Sequence, residues 1–304
     1  MPLSLATFFF ICWALLMAAP AATARPSESA GVPPAQLRAQ LGRLGVVQQI
    51  VLPRGDGRRA LRLYLAYPQG AAPAQGWPVL YMLDGNAAFQ ALAAAGRGDL
   101  ARRAVLVGIG YDVEARLDGD ARAWDYTPRL PGAGDDGTPD PRAAQRRNGG
   151  ADALLDLIEL RIKPLVRAAA PVDDTRQTLY GHSYGGLFVL HALRARPGAF
   201  QRYVAASPSL WWHAPFMAQS MLSLDAAPCC GKHPAELHLM AGAAESLRSP
   251  GAAPRATAGD LRSLAAVLAG RPGLRVDYRE FPGLGHGAML PASAIAAAEI
   301  AGRP

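Results

Sequence analysis

Gly181-His182-Ser183-Tyr184-Gly185 is the stretch of this sequence best suited to carry a nucleophile. It follows an apolar run ending at Tyr180 and precedes an amphipathic one beginning near Leu187, which puts it at a strand-to-helix turn. The small residues around the serine let the chain reverse tightly enough to lift one hydroxyl above a sheet. A serine hydroxyl is a weak nucleophile until a base takes its proton, so a histidine must come from elsewhere in the chain. His286 fits that role. It lies in Gly283-Leu284-Gly285-His286-Gly287, expected as a loop directly after the last strand. His238 inside a strand, His233 beside Pro234 and His191 on the helix behind the serine are poorer candidates. His182 adjoins the serine, but neighbouring side chains in so sharp a turn point apart.

The third group is a carboxylate that holds the imidazole tautomer and stabilises the imidazolium. Glu245, three residues past Gly242 at the end of a strand, sits on the expected turn. Asp260 is the other acid nearby, on the helix that follows. Some enzymes manage with weaker help, and a solvated loop glutamate is the alternative there. Acyl transfer also needs backbone N–H groups aimed at the developing oxyanion. Tyr184, next to the nucleophile, supplies one. The second is expected from Asp84-Gly85-Asn86, where Gly85 permits an unusual backbone angle and Asn86 offers its amide. An ordinary Asp-Gly turn is the alternative there.

These residues need a frame, and the hydrophobic pattern supplies one. Leu61 to Tyr67 alternates sides as a strand of an antiparallel opening. Compact apolar runs follow at Val79–Leu83, Ala104–Ile109, Gln177–Tyr180, Tyr203–Ala206, Leu237–Ala241 and Leu274–Phe281. Helical patterns lie between and after them, at Ala87–Ala95, Ala151–Ala169, Leu187–Ala195, Arg255–Ala269 and Ala292–Ile300. Such alternation predicts an α/β fold, a mostly parallel sheet with helices on both faces. The polar stretch from Leu130 to Asn148 has almost no apolar anchor and reads as a lid-like loop within the same domain.

Composition narrows the classes further. The chain has 304 residues and a formal net charge of +7, with Lys163 and Lys232 as its only lysines. Its arginines are scattered, in runs no longer than Arg102-Arg103 or Arg146-Arg147, so no basic stripe suited to nucleic acid emerges. Phe8, Phe9, Phe10, Ile11, Trp13, Leu15 and Leu16 form a short apolar core followed by Ala22-Thr23-Ala24. That pattern predicts a signal peptide over residues 1–24, export to the periplasm, and one domain over 25–304. No lysine or arginine precedes the apolar run, which leaves a retained anchor as the alternative. After cleavage only Cys229 and Cys230 remain, adjacent on an expected loop, a spacing that suits neither a disulfide nor a metal site.

An ordered set of motifs through most of the expected mature chain resembles the bacterial siderophore esterases, the enterobactin and salmochelin trilactone hydrolases of the α/β-hydrolase superfamily. The set runs Leu80-Tyr81-Met82-Leu83-Asp84-Gly85-Asn86, Val107-Gly108-Ile109-Gly110-Tyr111, then Arg122 with Asp125-Tyr126-Thr127-Pro128. It continues with Gly149-Gly150-Ala151-Asp152, Lys163-Pro164, Tyr180 to Gly186, Ser207-Pro208-Ser209-Leu210-Trp211-Trp212 and His286-Gly287. The resemblance implies the α/β-hydrolase fold and a serine esterase that cuts the ester backbone of a tris-catecholate siderophore. Iron would arrive with the substrate, and no cofactor or metal site is implied. Ferric catecholates are anionic and carry flat aromatic rings, which nominates Arg122 and the walls Trp211 and Trp212 as substrate contacts. Arg122 paired with Asp125, and one tryptophan in the core, are the structural alternatives. A feruloyl or acetyl esterase, an acyltransferase of the same fold and a non-catalytic siderophore-binding protein are the competing functions.

Overall fold

The computed structural model describes residues 46–68, 70–224, 234–246 and 258–303. The apolar N-terminal run, Cys12, Cys229 and Cys230 lie outside the described residues.

Alternation along the strands builds the centre of the molecule. In β3 (Trp77–Leu83), Val79, Tyr81 and Leu83 point into one apolar cluster while Leu80 and Met82 point into another on the opposite face. A strand buried on both faces reads as an unbroken apolar run, which is why it is legible in sequence. Among the described residues, eight strands join in one sheet in the order β1-β2-β4-β3-β7-β8-β9-β10. β1 (Val46–Leu52) and β2 (Leu61–Tyr67) form the antiparallel opening, and β2 also pairs antiparallel with β4 (Val105–Tyr111). From β4 onward, through β3, β7 (Val172–His182), β8 (Arg202–Ala206), β9 (Ala235–Gly242) and β10 (Leu274–Phe281), every pairing is parallel. Crossover helices cover both faces, as parallel strands require. α1 (Gly85–Ala94) and the last helix, α8 (His286–Ala301), supply one cluster. The other face takes α3 (Ala151–Leu157), α4 (Lys163–Ala169), α5 (Tyr184–Ala195), α6 (Phe216–Leu222) and α7 (Ala258–Leu268). The fold is an α/β-hydrolase sheet.

Four features differ from the sequence reading. The helix expected over Ala151–Ala169 is interrupted by a π-helical turn at Ile158–Ile162. The loop expected from Leu130 to Asn148 contains a hairpin, β5 (Thr138–Asp140) paired with β6 (Ala143–Asn148), pinned by polar contacts that leave no apolar periodicity to read. The short helices α2 (Gly119–Asp125) and α6 carry too few turns for a helical period to emerge. Finally, His286 opens α8 directly, with Gly285 as its cap, and is not on a free loop.

Candidate active site

The turn after β7 places the serine. Ser183 has φ 61° and ψ −116°, a conformation costly for a side-chain-bearing residue, and its N–H donates to the Ala206 carbonyl of β8 at 2.9 Å. Gly181 is required there, because a Cβ on it would lie 2.3 Å from the Gly185 carbonyl carbon. The strained backbone turns Oγ toward the base. His286 Nε2 lies 3.0 Å from Ser183 Oγ, and His286 Nδ1 lies 2.9 Å from Glu245 Oε2. Three residues from three separate turns thus form one continuous line of hydrogen bonds. Asp260, the competing acid, is exposed on α7.

Glu245 is fastened from behind. Its Oε1 accepts from Ser207 Oγ at 2.6 Å and from the Gly242 N–H at 2.7 Å, and its side chain is almost wholly buried. Burial pushes its carboxyl pKa up, but the bonds from His286, Ser207 and Gly242 together outweigh it and hold the group below the ordinary glutamate value. The histidine is fastened too. Its backbone carbonyl lies 2.9 Å from His182 Nε2, and the two imidazole rings are 4.7 Å apart between centroids. His182 therefore turns from the serine, as expected, but toward the base and not into solvent. The Ala244 N–H donates to the Leu284 carbonyl at 3.0 Å, tying the turn of the acid to the turn of the base.

The turns that open α5 and α1 lie against each other, since a Cβ on Gly185 would lie 3.8 Å from Asp84 Oδ2. Tyr184 opens α5, and Asn86 is the second residue of α1. The first N–H groups of a helix lack intrahelical acceptors and favour negative charge. The left-handed residue of the β3–α1 turn is Asp84 (φ 52°, ψ 44°), not Gly85 as the sequence suggested. Gly85 is needed for space, since a Cβ there would lie 2.6 Å from the Gly108 backbone of β4. Asn86 is locked by its side chain: Oδ1 accepts from the Tyr111 N–H at 3.0 Å, and Nδ2 donates to the Tyr111 carbonyl at 3.1 Å.

Arg122 serves that turn. Its Nε and Nη2 donate to Asp84 Oδ1 and Oδ2 at 3.0 and 2.9 Å, and Tyr126 Oη accepts from the Asp84 N–H at 2.9 Å. Only 13% of the Arg122 side chain is exposed, so this fork is spent inside the protein and not at the mouth as the resemblance suggested. Nor does it pair with Asp125, which meets Arg54 at 2.7 Å in a pair almost wholly buried at both ends. Arg122→Ala is expected to lower kcat about ten- to a hundredfold on neutral and anionic esters alike, somewhat less than outright loss of an oxyanion donor. Steady-state rates on a matched ester pair check this, and a KM effect confined to the anionic ester would restore Arg122 to substrate binding.

The two tryptophans separate. Trp212 is fully buried and its Nε1 donates to Asn148 Oδ1 at 2.9 Å, so it is a core residue and not a substrate wall. Trp211 is half-buried and packs on Tyr184, ring centroids 5.6 Å apart. It also lines an apolar groove of about 530 Å³ with Leu210, Ala214, Pro215 and Leu264. Sequence reasoning gave Ser207 and Ser209 no role, although both lie in a quoted motif. Ser207 holds Glu245, and Ser209 Oγ lies 3.3 Å from Ser183 Oγ. Among the described residues, no cluster of histidine, cysteine and carboxylate groups could hold a metal ion, and no helix is long and apolar enough to cross a membrane.

Comparison with known proteins agrees with this geometry. The family model described as "Putative esterase" matches residues 55–246. The chain is 34% identical over 253 residues to the apo-salmochelin esterase of Escherichia coli, covering 78% of this chain and 73% of that protein. It is 34% identical over 240 residues to the ferri-bacillibactin esterase BesA of Bacillus subtilis, covering 77% and 81%. The solved enterobactin hydrolase IroE in complex with DFP superposes with a TM-score of 0.68 at 32% identity, covering 84% of this chain and 95% of that one. With a serine, histidine and glutamate in hydrogen-bonded line on an α/β-hydrolase sheet, the chain belongs to the siderophore-esterase branch of that esterase family.

Proposed function

We propose that this protein hydrolyses the ester backbone of a catecholate siderophore trilactone so that the iron it carries can be released. The observation that carries the reading is the unbroken line from Ser183 Oγ through His286 to Glu245, in a chain so similar to esterases of that substrate class. Ser183 Oγ attacks a lactone carbonyl while His286 Nε2, 3.0 Å away, accepts its proton. The Glu245 carboxylate on Nδ1 stabilises the resulting imidazolium. The Tyr184 and Asn86 amides take the negative charge of the tetrahedral intermediate. Collapse expels a seryl hydroxyl, which receives the proton back from His286, and water then clears the acyl-enzyme by the same relay. Iron is part of the substrate throughout. The signal pattern over residues 1–24 supports a periplasmic setting for this reaction.

The test is a substrate panel. The purified protein is incubated with ferric and iron-free catechol trilactone, a feruloyl ester and an acetyl ester, and products are identified by mass spectrometry. Linearised trilactone, followed by shorter seryl fragments, is the expected result. A feruloyl or acetyl ester cleaved with kcat/KM about tenfold or more above either trilactone, a gap of about 1.4 kcal/mol in transition-state binding, would redirect the assignment.

A further inference from the structure

Asp140 is a buried carboxylate on which four donors converge. Its Oδ1 accepts from the N–H groups of Arg142 and Ala143 at 2.8 and 3.2 Å, which shapes the turn between β5 and β6. Its Oδ2 accepts from Asn148 Nδ2 at 3.2 Å and from the Tyr184 hydroxyl at 2.7 Å. Asn148, fully buried, is fixed in turn. Its Oδ1 accepts from Trp212 Nε1 at 2.9 Å, and its Nδ2 also donates to the Ala123 carbonyl of α2 at 2.8 Å. The hairpin is thus anchored in the core on one side, and on the other it holds the side chain of the residue next to the nucleophile. Burial and the bond to Asp140 keep the Tyr184 phenol above its ordinary pKa, so it remains a donor at neutral pH.

We propose that Asp140 is a positioning residue for the oxyanion hole, acting through the Tyr184 side chain on the amide of the same residue. The need for such a tether comes from Ser183. It is the N-cap of α5, yet its hydroxyl is turned to His286 and not back onto the helix. Its φ of 61° and ψ of −116° persist only where the surroundings over-determine them. The Tyr184 ring packs on Trp211, a contact that lets it slide. A short bond from a hydroxyl to a carboxylate fixes both a distance and a direction. Backbone rotation at Ser183 would swing the Tyr184 N–H and pull the phenol off Asp140 together. An amide displaced by about half an ångström loses much of its hold on an oxyanion. The inference rests on ester hydrolysis at Ser183 and not on a siderophore as the substrate.

The experiment compares wild type, Tyr184→Phe, Asp140→Ala and the double variant on phenyl acetate, with calorimetry on each. Tyr184→Phe is the sharper variant, because it keeps the ring and leaves Asp140 its other three donors. Both single variants are expected to lower kcat about tenfold with KM within about twofold, a smaller effect than outright loss of an oxyanion donor. The double variant should be no slower than Asp140→Ala, since both changes remove the same bond. Affinity for 2,2,2-trifluoroacetophenone should also fall about tenfold. Ser183 Oγ adds to the carbonyl carbon of this ketone, its proton passes to His286, and the hemiketal oxyanion reports on the hole. Wild-type kcat in Tyr184→Phe, or unchanged affinity for the ketone in either single variant, overturns the assignment. A lower melting temperature for Asp140→Ala with kcat intact means that the carboxylate serves only the fold. Wild type that turns over phenyl acetate but no trilactone would sink the siderophore reading alone, while the ketone affinities still decide the role of Asp140.

Discussion

Ser183→Ala should lower kcat for every ester by about 10⁴- to 10⁶-fold and leave the thermal unfolding midpoint close to that of wild type. The two halves of this expectation have separate causes. Chemically, Oγ is the atom that His286 Nε2 faces at 3.0 Å. Structurally, Ser183 holds the elbow through its backbone. Its N–H donates to Ala206, and its carbonyl accepts from Leu187 at 3.0 Å and Ser209 at 3.2 Å. Alanine keeps all three. Some rate above the uncatalysed reaction should survive, because the amides of Tyr184 and Asn86 are still in place. Labelling by a fluorophosphonate, with calorimetry on the same sample, reads both halves at once. Stoichiometric labelling of the variant would move the nucleophile elsewhere.

Glu245→Gln carries the second large effect, a loss of about 10²- to 10⁴-fold in kcat. A glutamine amide that keeps its oxygen for the Gly242 and Ser207 donors turns its NH2 toward His286 Nδ1, which must then accept instead of donate. The imidazole then loses both its fixed tautomer and its counter-charge. A fall of less than about tenfold would mean that serine and histidine work as a dyad, with the glutamate serving only the fold. Stability gives an independent reading. The Glu245 carboxyl titrates below its ordinary value of 4.5, so the folded state binds its proton more weakly than the unfolded chain does. That contribution is fully present above the ordinary value and is lost as pH falls through the lower folded-state value. The melting-temperature gap between wild type and Glu245→Gln should therefore hold steady from neutral pH down to the ordinary carboxylate range. Below it the gap should close.

Which parts of this were legible in one dimension follows from how each is built. Strands buried on both faces are apolar along nearly their whole length, so β3 and β4 announce themselves, and the alternation of β2 does the same for an antiparallel neighbour. The serine elbow is legible because a tight strand-to-helix turn needs small residues at fixed positions, as Gly181 shows. Once the chain order of strands is known, His286 and Glu245 become candidates from their places after β10 and β9, with the acid left open until the fold is seen. The hairpin β5–β6 is different. It is held by polar contacts, within the hairpin from Asn148 to Asp140 and from Arg147 to Gly137, and across the fold from Tyr184 and Trp212, and such contacts impose no period on the sequence.

Roles that depend on which of two neighbours a side chain meets were decided in three dimensions. Arg122 faces Asp84, thirty-eight positions away, and not Asp125 on its own helix. Trp211 and Trp212 are adjacent in the chain, yet one packs at the rim and the other is sealed in the core against Asn148. Local pattern records what an element must bury. It cannot record the partner that a long or amphipathic side chain finds across the fold, because that choice belongs to packing between segments far apart in the chain.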